Sequence, residues 1–319
     1  MADRIIQTET LQGIANAIRG SEQGDKIAVE DFAENVSAIL NAKVSTEEML
    51  KAVIDGTATS LVIPDGITAI RQYAFYKCTA LKDVIMPNSL TQIENNAFTQ
   101  CTSLDNVVLP NGLTTIGSNA FNGCYSLETI TLGSGLTTIG SSAFATCSNL
   151  TEITIPDGVT TIGNNAFSSC IKLTSITIPD SVTSVEYSAF GSCSLLSSVT
   201  LGNGLTTIES NMFNKCSALT NIIIPSSITS IADSAFKNSG LTSIVIPDSV
   251  TSIGYQAFST CSSLTNITLG NGLTSIATNA FMQINANAVI NCKFAEGAVA
   301  GAPWGAPNGV TINYDYTGE

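Results

Sequence analysis

The sequence predicts a repeat solenoid, mainly β and built of short parallel strands, with a small α-helical module at its N-terminal end. Three observations predict it. Phenylalanine recurs at 75, 98, 121, 144, 167, 190, 213, 236, 258 and 281, a step of 23 residues throughout except for one step of 22 between Phe236 and Phe258. Around each phenylalanine the same residue types stand in register, with Thr seven positions earlier, Ile or Val five earlier, and Ala immediately before except at Met212. Composition agrees: 44% hydrophobic and 12% charged residues with 25 glycines suit many short extended pieces joined by tight turns. A fixed period of this length is the mark of units that stack on one another.

Each unit reads as a strand of the type Leu-x-x-Ile-x-Ile-Pro, a turn, a second extended piece Val-Thr-Ser-Ile, and a compact Ala-Phe-x-x-Cys turn. The turn position holds only Asp, Asn or Ser followed by Gly or Ser, as in Pro64-Asp65-Gly66 and Pro156-Asp157-Gly158. Proline sets φ there, and Asx and Gly accept the bend. For the unit ending at Phe190 the inward set is Leu173, Ile176, Ile178, Val182, Val185, Ala189 and Phe190. No unit buries these alone; at the strand spacing of about 4.8 Å, stacked units close one core spanning roughly 45–50 Å. The short unit, Phe-Lys-Asn-Ser-Gly-Leu, has lost one residue in a loop.

The two ends depart from the repeat. Ser45-Thr46-Glu47-Glu48 has the form of a capping box, Met49, Leu50 and Val53 follow at helical spacing, and Gly56 is a stop. Upstream, Leu11, Ile14, Ala15 and Ile18 mark one short helix, and Phe32, Val36, Ile39 and Leu40 another. The expected organisation is a helical hairpin over 1–42 as a docking module, a capping helix over 43–57, repeats over 58–281 and a C-terminal cap over 282–319. In that cap residues 310–314 alternate like a last edge strand, and Trp304 is placed to cover the final coil.

A formal charge of −13 argues against nucleic acid as a partner, since nothing favours neutralising phosphates. The absence of histidine removes the commonest general base and metal ligand. No Ser/His/Asp set, phosphate loop or isolated carboxylate pair stands out, so neither catalysis nor a cofactor is expected. The first residues lack the basic and apolar regions of a secretory signal, and no apolar run approaches the roughly 20 residues of a membrane span. The expectation is a chain made in the cytoplasm and not exported by the signal-peptide route.

Three residue columns invite sharper readings. Cysteines 78, 101, 124, 147, 170, 193, 216 and 261 all stand three residues after Phe, in a line and not converging on a point, so no metal site is expected. Stacked neighbours lie within bridging range, yet the small buried apolar role of free thiols is favoured over disulfides. Threonine columns raise ice binding, against which stands the ordinary stacking of β-branched residues on a sheet. The Asp/Asn column raises calcium, against which stands turn chemistry.

The segment Leu150 to Cys170, LTEITIPDGVTTIGNNAFSSC, resembles the BspA-like leucine-rich repeat family, and the resemblance extends over about residues 58–281. It implies a right-handed solenoid with a parallel sheet, and binding in place of catalysis. The segments TLQGIANAIRG and DKIAVEDFAENVSAIL, with GAPWGAPNGVTINYDYTG at the other end, resemble tail-associated proteins of bacteriophages and prophages of gut bacteria. That resemblance implies a virion protein recognising its host, with residues 1–42 holding other tail proteins. A bacterial surface adhesin of the BspA type is the alternative. The expected contact surface is the outward side of the first strand, with Lys82, Asp105, Glu128, Thr131, Glu152, Thr154, Thr177, Thr200 and Thr268 as candidates. Charge is concentrated in the early coils. Small hydroxyl and amide groups suit a protein or cell-surface glycan receptor, while the low aromatic content argues against a sugar-stacking platform. Self-association is left open.

Overall fold

The computed structural model describes residues 57–63 and 65–318, and among them the chain winds as a parallel-strand β-solenoid. Most coils have a front strand, and the coils also carry a shorter side strand and a turn-built third side that holds the phenylalanine. The front strand Asp83–Ile85 exposes, buries and exposes its residues in turn, and the side strand Gln92–Ile93 exposes one and buries one. That alternation follows from the period of two along any strand.

Neighbouring coils pair in parallel at a shift of one repeat. On the front, Ser60 lies beside Asp83, Asp83 beside Asn106 and Asn106 beside Thr129. This ladder runs in three pieces: Ser60–Val62 to Thr129–Thr131, then Ser175–Thr177 with Ser198–Thr200, then Ser243–Ile246 to Thr311–Asn313. The side ladder runs from Ala69–Ile70 to Ser184–Val185 and again from Thr207–Ile208 to Ser275–Ile276. Register survives the short unit, because Ile231 pairs with Ile253 across 22 residues before Ser252 pairs with Ser275 across 23. The deficit is absorbed just before Leu241. There Gly240 sits so close to the coil below that a Cβ would fall 2.1 Å from the Ser217 carbonyl oxygen.

The third side solves a backbone problem that strands solve elsewhere. Its amides alternate in destination. Tyr73, Phe75 and Lys77 donate N–H to the carbonyls of Asn95, Ala97 and Thr99 in the next coil at 3.3, 2.8 and 2.8 Å, while Ala74, Tyr76 and Cys78 donate back three residues within their own coil. A left-handed residue two before and two after each phenylalanine makes this possible, as at Tyr73 and Lys77 or Asn96 and Gln100. Asn, which tolerates that region, stands at 96, 119, 165, 211 and 279.

Inside, the predicted inward set of the unit ending at Phe190 is buried throughout. The phenylalanines form one file of offset rings, with centroids 5.0 Å apart at Phe75–Phe98 and 5.8 Å at Phe190–Phe213, all within 19° of parallel. Trp304 closes the file edge-on to Phe281 at 6.4 Å and donates its indole N–H to the Ala300 carbonyl at 2.9 Å. The front ladder continues past Phe281 through Val289–Cys292 to Thr311–Asn313.

One expectation is corrected. The described residues contain no α-helix, so the fold class is a parallel β-solenoid and not a solenoid with a helical module. The physical reason is that apolar residues alternate with period two for three or four residues and then meet a turn, which leaves no run long enough for a period of 3.6. The helices expected over 1–42 and 43–57 lie outside the described residues, save Thr57, which has no regular structure.

Candidate binding surface on the front sheet

The front sheet carries the expected surface residues in three outward columns. Lys82, Asp105 and Glu128 follow the buried leucine of their coils directly, Glu152 stands one position further along, and Thr131, Thr154, Thr177, Thr200 and Thr268 form the far column. Glu152 and the threonines of the far column share the face because they alternate with a buried Val or Ile, such as Ile130 beneath Thr131, while Lys82, Asp105 and Glu128 stand just before the strand. They are not equally available. Lys82 Nζ pairs with Asp105 Oδ2 at 3.3 Å, and Asn106 donates its side-chain N–H to Asp105 Oδ1 at 3.0 Å, so both oxygens of that half-buried carboxylate are engaged. Thr268 is half-buried, whereas Glu128, Glu152, Thr131, Thr154, Thr177 and Thr200 are exposed.

Two kinds of threonine column separate here. On the turn between front and side strands, Thr114 and Thr137 donate their hydroxyls to the carbonyls of Thr91 and Thr114 at 3.0 Å, and Thr251 donates to Thr229 at 3.1 Å. Those hydroxyls hold coils together, a role that favours threonine in that column. The hydroxyls of Thr131, Thr154, Thr177 and Thr200 have no protein partner among the described residues, and they face solvent.

The far column also holds large aliphatic residues. Val62, Ile85 and Val108 are 52, 62 and 65% exposed on consecutive coils, and Ile223 and Val245 are 80 and 61% exposed beyond the threonines. In sequence, Ile85, Val108, Ile223 and Val245 fit the ordinary stacking of β-branched residues on a sheet. The signal was there: a β-branched apolar residue at the outward parity of a strand whose inward residues already fill the core.

The other columns are structural. Asp180 and Asp248 each accept the backbone N–H of the next coil's Asn203 and Asn271, at 2.7 and 2.9 Å, so the Asp/Asn column ties turns together. The cysteines are free, and each buried thiol of the column donates to the phenylalanine carbonyl one coil back, Cys101 to Phe75 at 3.0 Å and Cys124 to Phe98 at 3.2 Å. Burial pushes the thiols up, to about 11 for Cys78 and about 12 for Cys124, the reverse of what a reactive cysteine needs. Ser239 takes the vacant place and lies 3.2 Å from Cys261 Sγ.

The family described as BspA type leucine rich repeat region matches residues 55–172, 137–255 and 229–294. A leucine-rich repeat protein from Bacteroides ovatus is similar at 26% identity over 81% of this chain and 84% of its own, with a TM-score of 0.52. The pneumococcal vaccine antigen PcpA shares the fold, at 22% identity over 81% of this chain and 80% of its own, with a TM-score of 0.53. No curated protein matches. Three overlapping matches running from 55 to 294 take in three quarters of the sequence, and the chain belongs to the BspA type leucine-rich repeat family.

Proposed function

We propose that this chain is a non-catalytic phage or prophage tail-associated protein whose front sheet recognises a protein or glycan on the host surface, residues 1–42 attaching it to other tail proteins. The observation that carries the binding role is the front face itself: unpartnered threonine hydroxyls between two exposed aliphatic patches, on a face whose fold requires neither. Family membership supports a binding scaffold. The tail assignment is supported by the resemblance of the two terminal segments to tail-associated proteins.

A BspA-type surface adhesin is the second reading, because family membership favours it equally. Location separates the two. Antibody against the solenoid is expected to detect the chain in gradient-purified particles, and deletion of residues 1–42 is expected to remove it from them. Signal confined to the cell envelope, with none in particles, would exchange the first reading for the second. Purified protein that attaches to no host cell would overturn both.

A further inference from the structure

The exposed aliphatic stripe at the N-terminal end of the front sheet is not demanded by the fold. Thr131, Thr154, Thr177 and Thr200 occupy the same column, and threonine has the shape and β-branching of valine. Val62, Ile85 and Val108 therefore expose apolar surface where a threonine serves the strand as well. They lie on adjacent coils in register, Val62 beside Ile85 and Val84 beside Val107, the residues just before Ile85 and Val108, which makes a ridge along the solenoid.

A second property coincides with it. The outward positions on the stripe's own coils hold Asp83 and Asp105, with Glu128 one coil and Glu152 two coils beyond Val108, against the single ammonium of Lys82, which Asp105 already pairs. Around Ile223 and Val245, by contrast, the corresponding positions are Thr220, Asn221, Thr242 and Ser243, all uncharged. Among the described residues of the front sheet, the early coils combine exposed aliphatic residues with an excess of acidic groups.

We infer that the ridge of Val62, Ile85 and Val108, with Asp83 beside it and Glu128 and Glu152 on the two coils that follow, docks a protein surface of the complementary kind, aliphatic side chains with lysine or arginine beside and beyond them. This rests on the binding role proposed above and names the partner chemistry of its N-terminal part. Aliphatic residues give burial without the stacking planes that a sugar ring needs, so protein is favoured over glycan. The carboxylates add attraction that salt screens over about 10 Å at 0.1 M ionic strength, and they reject acidic surfaces.

The test uses the full chain and labelled seven-residue peptides: alternating valine and lysine, valine and glutamate, or threonine and lysine. The valine–lysine peptide should bind at least about tenfold tighter than either control, and should weaken as salt rises. The triple variant V62T/I85T/V108T should lose about tenfold in that affinity, as should D83S/E128T/E152S, while I223T/V245T should lose nothing. Each replacement is a residue type the same columns already contain, so folding is preserved and circular dichroism can verify it. Equal binding of the lysine and glutamate peptides, unchanged affinity in the aliphatic variant, or no binding by wild type would each overturn the inference. Two other occupants have their own signatures, and either also overturns it. Cross-links from Lys82 to Lys26, Lys43 or Lys51 in the free chain would mean that its own N-terminal segment covers the ridge, and a dimer that the I85T change dissociates would mean a second copy does. Attachment to host cells, scored separately, tests the host-recognition reading and not this one.

Discussion

At the scale of single residues, what matters is where each polar group's hydrogen bond goes. Thr137 and Thr154 are both exposed and look equivalent, yet the Thr137 hydroxyl donates to the Thr114 carbonyl and the Thr154 hydroxyl has no protein partner among the described residues. Thr137→Val should therefore cost about 0.5–1.5 kcal/mol in urea unfolding, the usual net worth of one such bond, and Thr154→Val should be neutral. Equal costs would mean that both columns act through strand shape alone. The cysteines give a pH dependence. The ordinary thiol value of 9.0 rises in the native state, to about 12 for Cys124 and Cys193, because desolvation disfavours the thiolate. A raised native value contributes stability that is complete below the unfolded value and is lost as pH climbs toward the folded one. The urea midpoint should stay level in this respect from pH 7 to 9 and fall above it, and Cys124→Ser should lessen the fall. A midpoint that drops already between pH 7 and 8.5, in step with thiol modification of the folded chain, would contradict the burial assigned here.

At the scale of the coil, one unit is built differently. Met212 replaces the alanine that precedes every other phenylalanine of the file, and it is fully buried. The extra bulk coincides with local loosening. The Phe190–Phe213 spacing is the widest of the stack at 5.8 Å, the Phe190 amide reaches the Met212 carbonyl at 3.1 Å where the neighbouring Phe167 bond is 2.8 Å, and the side ladder breaks between Ser184–Val185 and Thr207–Ile208. A wedge of this kind leaves a site that can collapse to the geometry of the alanine coils. Met212→Ala should cost less than about 1.5 kcal/mol, below the usual 2–5, while Phe213→Ala should cost about 3–5 kcal/mol because nothing replaces a ring in the stack. Equal losses in denaturant unfolding would show that the methionine is as tightly packed as the ring.

At the scale of the whole molecule, the solenoid is a sum of coils and their interfaces, since the strand and turn ladders link each coil to its neighbours. Removing residues 148–170 joins Cys147 to Ile171 and keeps every column in register, with Phe144 then facing Phe190. The shortened chain should fold, keep its β circular dichroism, and unfold in urea with a slope lower by roughly a tenth, in proportion to the surface lost. Loss of cooperative unfolding would mean that the array depends on one particular coil. The same length scale matters for recognition: the front face is long enough for unlike patches, acidic and aliphatic at the start, hydroxyl-rich in the middle, uncharged and aliphatic beyond.

Much of this was legible in the sequence because a repeat reports its own inside. Residues that recur as Leu, Ile, Ala and Phe at fixed offsets, Leu173 or Phe190 for instance, can only be the positions that every coil must bury, and period two then assigns Thr177 to the outside. The lost residue before Leu241 was likewise visible as a step of 22. What the sequence could not decide were properties of contact between coils. Whether a threonine hydroxyl is consumed or free depends on which carbonyl lies across the gap, and a column of letters is the same in both cases. The left-handed residues flanking each phenylalanine and the breaks in both ladders are likewise set by the fit of one coil on the next. The sequence by itself determined the repeat, its register and its core, because those follow from local periodicity. The tertiary structure decided which outward groups remain available to a partner, because that depends on distances between residues 23 positions apart.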